Sequence, residues 1–253
     1  MNLFFYFLVF LFGLSVGSFL NCIIYRLYSG KSFLRGRSFC PYCQHLLGWK
    51  DLVPLFSFFL LKGRCRYCHQ KISWQYPLVE LATSILFVLF FEVRPLAEVG
   101  PLMIIACFLI IIFVYDLKHY IIPDKVIYPA IGITLIYHLL RSDLHWRSDL
   151  VILSAFGAAA FFLIIVLISG GKWMGVGDIK LVFFMGLLLG WPNILVALFF
   201  SFLIGAIIGL GLIVAGKKTL KSEVPFGPFL VTGTFIALFL GQPIIDWYLN
   251  LFT

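Results

Sequence analysis

Apolar runs long enough to cross a bilayer recur along this 253-residue chain, and no other feature narrows the possible folds so far. In hydrocarbon there is no water to satisfy the backbone, so a crossing segment must pair every N–H and C=O within a helix or a closed barrel. Runs near twenty residues select helices, because a rise of about 1.5 Å per residue then covers a core of about 30 Å. The runs lie at 3–24, 77–91, 101–115, 126–140, 148–169, 179–191, 192–216 and 227–249. The expected fold class is all-α, a polytopic membrane protein with about eight transmembrane helices. The composition, 62% hydrophobic and 12% charged with a mean hydropathy of +1.06, lies outside the range of soluble domains. The run at 179–191 is short and ends in a tight turn at Trp191-Pro192-Asn193. Alternatively, 179–216 holds one span plus a re-entrant piece. The first run has no basic residue before it and no clear cleavage site, so it reads as a span and not as a cleaved signal.

Charge orients the spans. The polar segment 26–76 holds nine basic residues, Arg26, Lys31, Arg35, Arg37, Lys50, Lys62, Arg64, Arg66 and Lys71. Every second loop after it is also basic, through Lys118 and Lys125, then Lys172 and Lys180, then Lys217, Lys218 and Lys221. The alternate loops hold only Arg94, Arg141 and Arg147, so the split is 16 to 3. Excess Lys and Arg mark cytoplasmic loops, which places the 26–76 segment on the cytoplasmic side and both termini outside. The net charge of +8 is therefore a topology signal, and no nucleic-acid partner is expected.

Within that segment Cys40-Pro-Tyr-Cys43 and Cys65-Arg-Tyr-Cys68 form two Cys-x-x-Cys knuckles separated by 21 residues. Four thiolates in two close pairs suit tetrahedral zinc. A reducing compartment disfavours disulfides, and a complete four-sulfur shell has no open position for catalysis, so the expected metal is structural. The separation is longer than the usual ribbon spacing. His45 and His69 read as surface residues, and Cys22 and Cys107 as inert thiols in apolar surroundings. Between the knuckles, Trp49 to Leu60 is apolar but too short to span, and is expected on the membrane surface or against the spans.

Acidic residues at the edges of spans are expensive and mark candidate sites. Gly175-Val-Gly-Asp178-Ile-Lys180 places an aspartate between two apolar runs, and Asp116 ends the third span on the same expected side. Two carboxyl groups meeting in a low dielectric would share one proton. One would activate water while the other gave its proton to the scissile group. Asp124 competes for the role, but helix capping accounts for it. Glu80 opens the second span, where it complements the helix dipole or contacts a substrate or cofactor. In the first run, Gly13 and Gly17 lie four apart, followed by Ser18 and Asn21, a pattern for close helix packing with interhelical hydrogen bonds or for a ligand-facing role. Pro225-Phe226-Gly227-Pro228 is expected to make a rigid entry to the last span, or a lip of the aspartate site.

Taken together, the sequence resembles the prepilin peptidases, the type IV leader peptidases of bacteria. The resemblance rests on Gly17-Ser-Phe-Leu-Asn21 with Tyr25-Arg26, the two cysteine knuckles with Trp49-Lys-Asp-Leu-Val-Pro54 between them, and Lys62-Gly-Arg-Cys65. It continues through Tyr76-Pro-Leu-Val-Glu80, Asp116 with Ile122-Pro-Asp124, Gly175-Val-Gly-Asp178-Ile-Lys180 and Pro225-Phe-Gly-Pro228. The chain departs from the family at Trp173-Met174, where small residues are usual. The resemblance implies a membrane aspartic peptidase of the bacterial cytoplasmic (inner) membrane, with catalytic aspartates at Asp116 and Asp178. It would cut type IV prepilins or pseudopilins on the cytoplasmic side, after a glycine that ends a short basic leader. It also implies methyl transfer from S-adenosylmethionine to the new N-terminus, associated with residues 1–100, and a peptidase core over 101–253. The sequence shows no nucleotide-binding glycine fingerprint, and Gly63 and Glu80 are the candidate cofactor contacts. The competing classes are a peptidase without methyl transfer, a zinc-loop scaffold that would leave both aspartates replaceable, and a transporter. A transporter calls for inverted repeats and midplane charges, and the sequence shows neither.

Overall fold

The computed structural model describes residues 3–30, 32, 36–140, 148–171, 173–217 and 224–251. Lys31, Arg35, Arg141, Arg147, Lys172, Lys218 and Lys221, which contribute to the charge reading above, lie outside the described residues. The described chain is helical: α1 (Leu3–Ser29), a 3-10 turn η1 (Trp49–Asp51), α2 (Phe56–Leu60), α3 (Gln75–Val93), α4 (Leu96–His119), α5 (Asp124–Leu140), α6 (Ser148–Ser169), α7 (Val176–Leu189), α8 (Asn193–Val214) and α9 (Gly227–Asn250). Its only β pairing among the described residues is two isolated bridges, Phe39 to Leu46 and Arg64 to Lys71.

Each predicted span has a helix. Six helices are long and apolar enough to cross a membrane: α1, α3, α4, α6, α8 and α9. The other two are shorter. α5 has 17 residues and α7 has 14, and 14 residues rise only about 21 Å against a hydrocarbon core of about 30 Å. Three boundaries also differ from the sequence reading. α4 runs through Pro101 in its second turn and past Asp116 to His119. α7 begins at Val176, so Asp178 lies in its first turn and not in a preceding loop. α3 begins at Gln75, which moves Glu80 to the second turn, where the end of the dipole has less hold on it.

The chain divides into two compact units, Met1–Ile111 and Ile112–Thr253. In the first, α1 packs on α3 across small residues. A Cβ on Gly13 would stand 2.5 Å from the Ser84 Cα, and one on Gly17 would stand 2.6 Å from the Glu80 Cα. Only glycine admits that approach. Asn21, buried in the same seam, donates from Nδ2 to the Tyr76 carbonyl at 3.1 Å and accepts from Gln75 Nε2 at 3.0 Å. The motif around Gly17 and Asn21 is thus accounted for by packing. Arg26, also buried, donates to the carbonyls of Ser32, Gly36 and Arg37, which folds the start of the polar segment back over the end of α1.

In the second unit α7 is the central element, packed against α5, α6, α8 and α9. Its helical face from Leu181 to Leu188 is buried. Gly186 lets the α6 backbone come close, with a Cβ there only 2.5 Å from the Ala155 Cα. Ser154 Oγ donates to the Gly186 carbonyl at 3.2 Å. On the α5 side a ring nitrogen of His138 meets the Leu187 carbonyl at 2.7 Å. A short helix buried on several sides satisfies its polar groups inside protein, so it need not span.

Candidate active site and metal centre

The second unit brings two carboxyl groups together at helix ends. Asp116 sits in the last turn of α4, and the turn closes where the Tyr120 N–H returns to the Asp116 carbonyl at 2.8 Å. Asp178 sits in the first turn of α7. Both are buried, at 5% and 9% exposure. They lie close enough for the charge on Asp116 to act on Asp178. Each carboxylate accepts one backbone amide: Gly227 N–H donates to Asp116 Oδ2 at 3.0 Å, and Gly175 N–H donates to Asp178 Oδ2 at 3.2 Å. The second contact is a helix-capping bond, so Asp178 caps the start of α7 while its side chain is buried.

The first contact explains the entry to α9. Gly227 is the first residue of that helix, so its amide has no intrahelical acceptor and carries the positive end of the helix dipole. A Cβ on Gly227 would lie 2.6 Å from Asp116 Oδ2, hence the glycine. Phe226 holds the entry in place among the rings of Phe162, Phe202 and Phe229. Sequence reading found the rigidity of Pro225-Phe-Gly-Pro228 but not the amide aimed at Asp116. The available signal was a glycine wedged between an aromatic anchor and a proline.

Asp124 has a different environment. Its side chain is 59% exposed and pairs with Lys180 Nζ at 2.6 Å. The Lys180 ammonium also stands over the Tyr128 ring, 5.2 Å from its centroid. The turn between α4 and α5 therefore touches α7 on both sides of Asp178, with Ile122 against Gly177 and Asp124 on Lys180. A Cβ on Gly177 would be 3.2 Å from the Ile122 Cβ. The lysine two residues after Asp178, unassigned by sequence, is the partner of the competing aspartate.

In the first unit, the Sγ atoms of Cys40, Cys43, Cys65 and Cys68 all lie within 4.8 Å of one another. The Cys40 and Cys68 sulfurs are 3.8 Å apart. A tetrahedron with metal–sulfur bonds of about 2.3 Å has an edge of about 3.8 Å, so the donor set fits a tetrahedral metal such as zinc. The two knuckles repeat one geometry. Cys40 N–H bonds the His45 carbonyl at 3.0 Å and Cys65 N–H bonds the Gln70 carbonyl at 2.9 Å. The residue after each second cysteine, Gln44 or His69, takes a positive φ near 59° or 56°. Asp51 ties the pieces together, accepting from the Gly48 amide at 3.2 Å, from Arg66 Nε at 2.7 Å and from the Tyr67 hydroxyl at 3.2 Å. Burial pushes the Asp51 carboxyl up, but these donors outweigh it and hold it below its ordinary value. Tyr67 in turn stacks on His45. His45 and His69 are exposed and stand outside the four-sulfur group.

The two candidate cofactor contacts have structural duties. Glu80 is buried and accepts the Leu55 N–H at 2.8 Å. Gly63 turns the chain at φ +67°, with its N–H on the Phe58 carbonyl and its carbonyl on the Ile72 N–H, both at 2.8 Å.

Residues 11–93 match the bacterial peptidase A24 N-terminal domain, and residues 103–210 match the type IV leader peptidase family. The chain is 34% identical to the prepilin leader peptidase/N-methyltransferase of Aeromonas salmonicida, over 96% of this chain and 93% of that one. It is 33% identical to the protein of the same name from Bacillus subtilis, over 96% and 98% of the two chains. With the Legionella pneumophila protein, also of that name, it shares 32% identity over 98% and 95%. No solved structure gives a significant match. Matches to both family models and to relatives along nearly the whole length establish that the chain belongs to the type IV leader peptidase family.

Proposed function

We propose that this chain is a bifunctional enzyme of the bacterial inner membrane. Its peptidase activity removes the basic leader of type IV prepilins or pseudopilins after a glycine at the cytoplasmic face. Its second activity methylates the new N-terminal residue with S-adenosylmethionine. The peptidase reading is carried by the buried pair Asp116 and Asp178, each held by one backbone amide. The names of the full-length relatives support both activities.

In the proposed reaction the pair holds one proton, because two adjacent buried carboxylates cannot both ionise. The ionised member takes a proton from a water molecule, whose oxygen attacks the carbonyl carbon of the leader glycine. The protonated member gives its proton to the carbonyl oxygen, which forms a neutral tetrahedral diol. Collapse breaks the C–N bond, and a proton passes to the leaving nitrogen. The products are a free leader carboxyl and a new amino terminus, and the pair again holds one proton. The amides of Gly227 and Gly175 keep the two carboxylates oriented through both steps.

The four cysteines would hold zinc as a structural ion that cross-links the two knuckles, since four sulfurs leave no position for water or substrate. Residues 1–100 are assigned to methyl transfer and 101–253 to the peptidase core, a division supported by the two family-model ranges. S-adenosylmethionine supplies the methyl group, and Gly63 and Glu80 in the amino-terminal part are the candidate contacts for it.

The test incubates purified full-length protein in nanodiscs with a prepilin and S-adenosylmethionine, and reads product masses. The expected product is cut after the leader glycine and heavier by one methyl group. A cut without the methyl group removes the second activity and keeps the first. Intact substrate from several authentic prepilins overturns the peptidase reading.

A further inference from the structure

The segment between the two knuckles bears large apolar side chains turned outward. Phe56 and Phe59 are each 62% exposed and Leu60 is 66% exposed. Trp74, at the N-cap of α3, is 63% exposed. Only Phe58 of this group turns in, against Trp74 at 5.0 Å between ring centroids and beneath Gly63.

The depth of this patch follows from α3. That helix has 19 residues, which rise about 28 Å, and the hydrocarbon core takes about 30 Å. It has no length to spare, so its first turns stand at the polar–apolar boundary. Glu80 lies in the second turn, and its carboxylate accepts the Leu55 N–H at 2.8 Å. The residue that leads into α2 is thereby fixed at the level of that boundary. Side chains exposed at this level meet lipid. Tryptophan at a helix end is a usual resident of the interface.

The rim of the patch is basic. Lys50, Lys62, Arg64 and Lys71 are exposed, and Asp51, held by Arg66, is the only acidic residue between the knuckles. Lysines and arginines near a bilayer surface attract anionic headgroups.

We propose that Phe56, Phe59, Leu60 and Trp74 form an interfacial anchor that inserts into an anionic leaflet and holds the four-cysteine centre against the membrane. The anchor rests on α1 and α3 as membrane spans and does not depend on the peptidase reading. It gives the metal centre a fixed height above the bilayer, where free polar loops would have none.

The test places a photo-reactive benzophenone side chain at position 59, 42 or 12 of the full-length protein in nanodiscs that contain phosphatidylglycerol. Position 12 lies on α1 and serves as the lipid-facing reference, since Phe12 is 58% exposed there. Tyr42, 68% exposed at the first knuckle, reports a surface turned to water. The expected result is lipid adducts at 59 and 12, and about tenfold fewer at 42. Discs of phosphatidylcholine alone should lower the yield at 59 several-fold and leave position 12 unchanged. Metal content of each variant confirms that the loop remains folded. Lipid adducts at 59 no more frequent than at 42 overturn the anchor, as do adducts at 59 to an added prepilin or to a second copy of the chain. An unchanged yield at 59 in neutral discs overturns its anionic preference.

Discussion

In the first unit four sulfurs come from two stretches of four residues, each shaped by backbone hydrogen bonds that reach five residues along the chain. In the second unit Asp116 and Asp178 come from different helices, and the amide that holds Asp116 lies 111 residues away at the start of α9. One site is built by local turns and the other by the packing of a helix bundle. A local site should fail only when its own residues change. A bundle site should also fail when a distant helix end shifts by an ångström, because reactive groups must be held within a fraction of that distance.

The sharpest break comes from the carboxyl groups. Asp116→Asn and Asp178→Asn keep shape and hydrogen-bond reach but remove the acid–base function, and each should lower prepilin cleavage by roughly 10³-fold or more. Metal content should be unchanged in both. A variant with a tenth or more of the wild-type rate takes its residue out of the mechanism.

Gly227→Ala tests the reach of the bundle site. The added methyl would meet Asp116 Oδ2 at 2.6 Å, so either the carboxyl moves or α9 does. A loss of about 10²-fold in kcat is expected, with little change in KM, since an ångström of misplacement costs about that much. Full activity would show that Asp116 needs no help from α9, and the contrast between the two sites would weaken.

Cys65→Ser tests the opposite property. Three sulfurs hold zinc less well than four, so metal should be stripped by a chelator that leaves the wild type loaded. Cleavage should fall by less than about tenfold, because no step of peptide hydrolysis needs the metal. A loss as large as that of the aspartate variants would show that the cysteine loop contributes to the peptidase site itself.

How much was legible in the sequence follows from the same contrast. Apolar length is a property of each run alone, so each of the eight runs was matched by a helix, though several ends differ and the short α2 was not foreseen as a helix. The cysteine cluster was legible because its spacing is its geometry. The start of α7 was misplaced by three residues because Asp178 accepts the Gly175 amide and draws the motif into the helix. Six of the eight expected spans have helices of 18 residues or more, and the other two, α5 and α7, have 17 and 14 residues, shorter than the roughly 20 of a full crossing. Gly17 and Asn21 were read as either packing or ligand-facing residues, and their partners Glu80, Tyr76 and Gln75 could be named only once α1 and α3 were paired. Gly227 was seen as a rigid element and not as a donor, since its acceptor is set by tertiary packing.

The smallest expected effect concerns Asp124, which sequence reading kept as a rival of Asp116. The structure pairs it with Lys180 on the exposed side of the turn, and exposed pairs of this kind contribute about 0.2–1 kcal/mol. Because the same turn also packs Ile122 on Gly177, the pair steadies the segment that flanks Asp178. Asp124→Asn should therefore lower cleavage only a few-fold, by about the factor that 1 kcal/mol permits, and Lys180→Met should do the same. Exchange of the two charges, Asp124→Lys with Lys180→Asp, should restore part of the loss, a rescue possible for a positioning pair but not for a proton donor. The measurement is the cleavage rate of each single variant and of the exchange at one fixed substrate concentration. If Asp124→Asn falls as far as Asp178→Asn and the exchange rescues nothing, then Asp124 belongs to the reacting pair and Asp116 must give up its place.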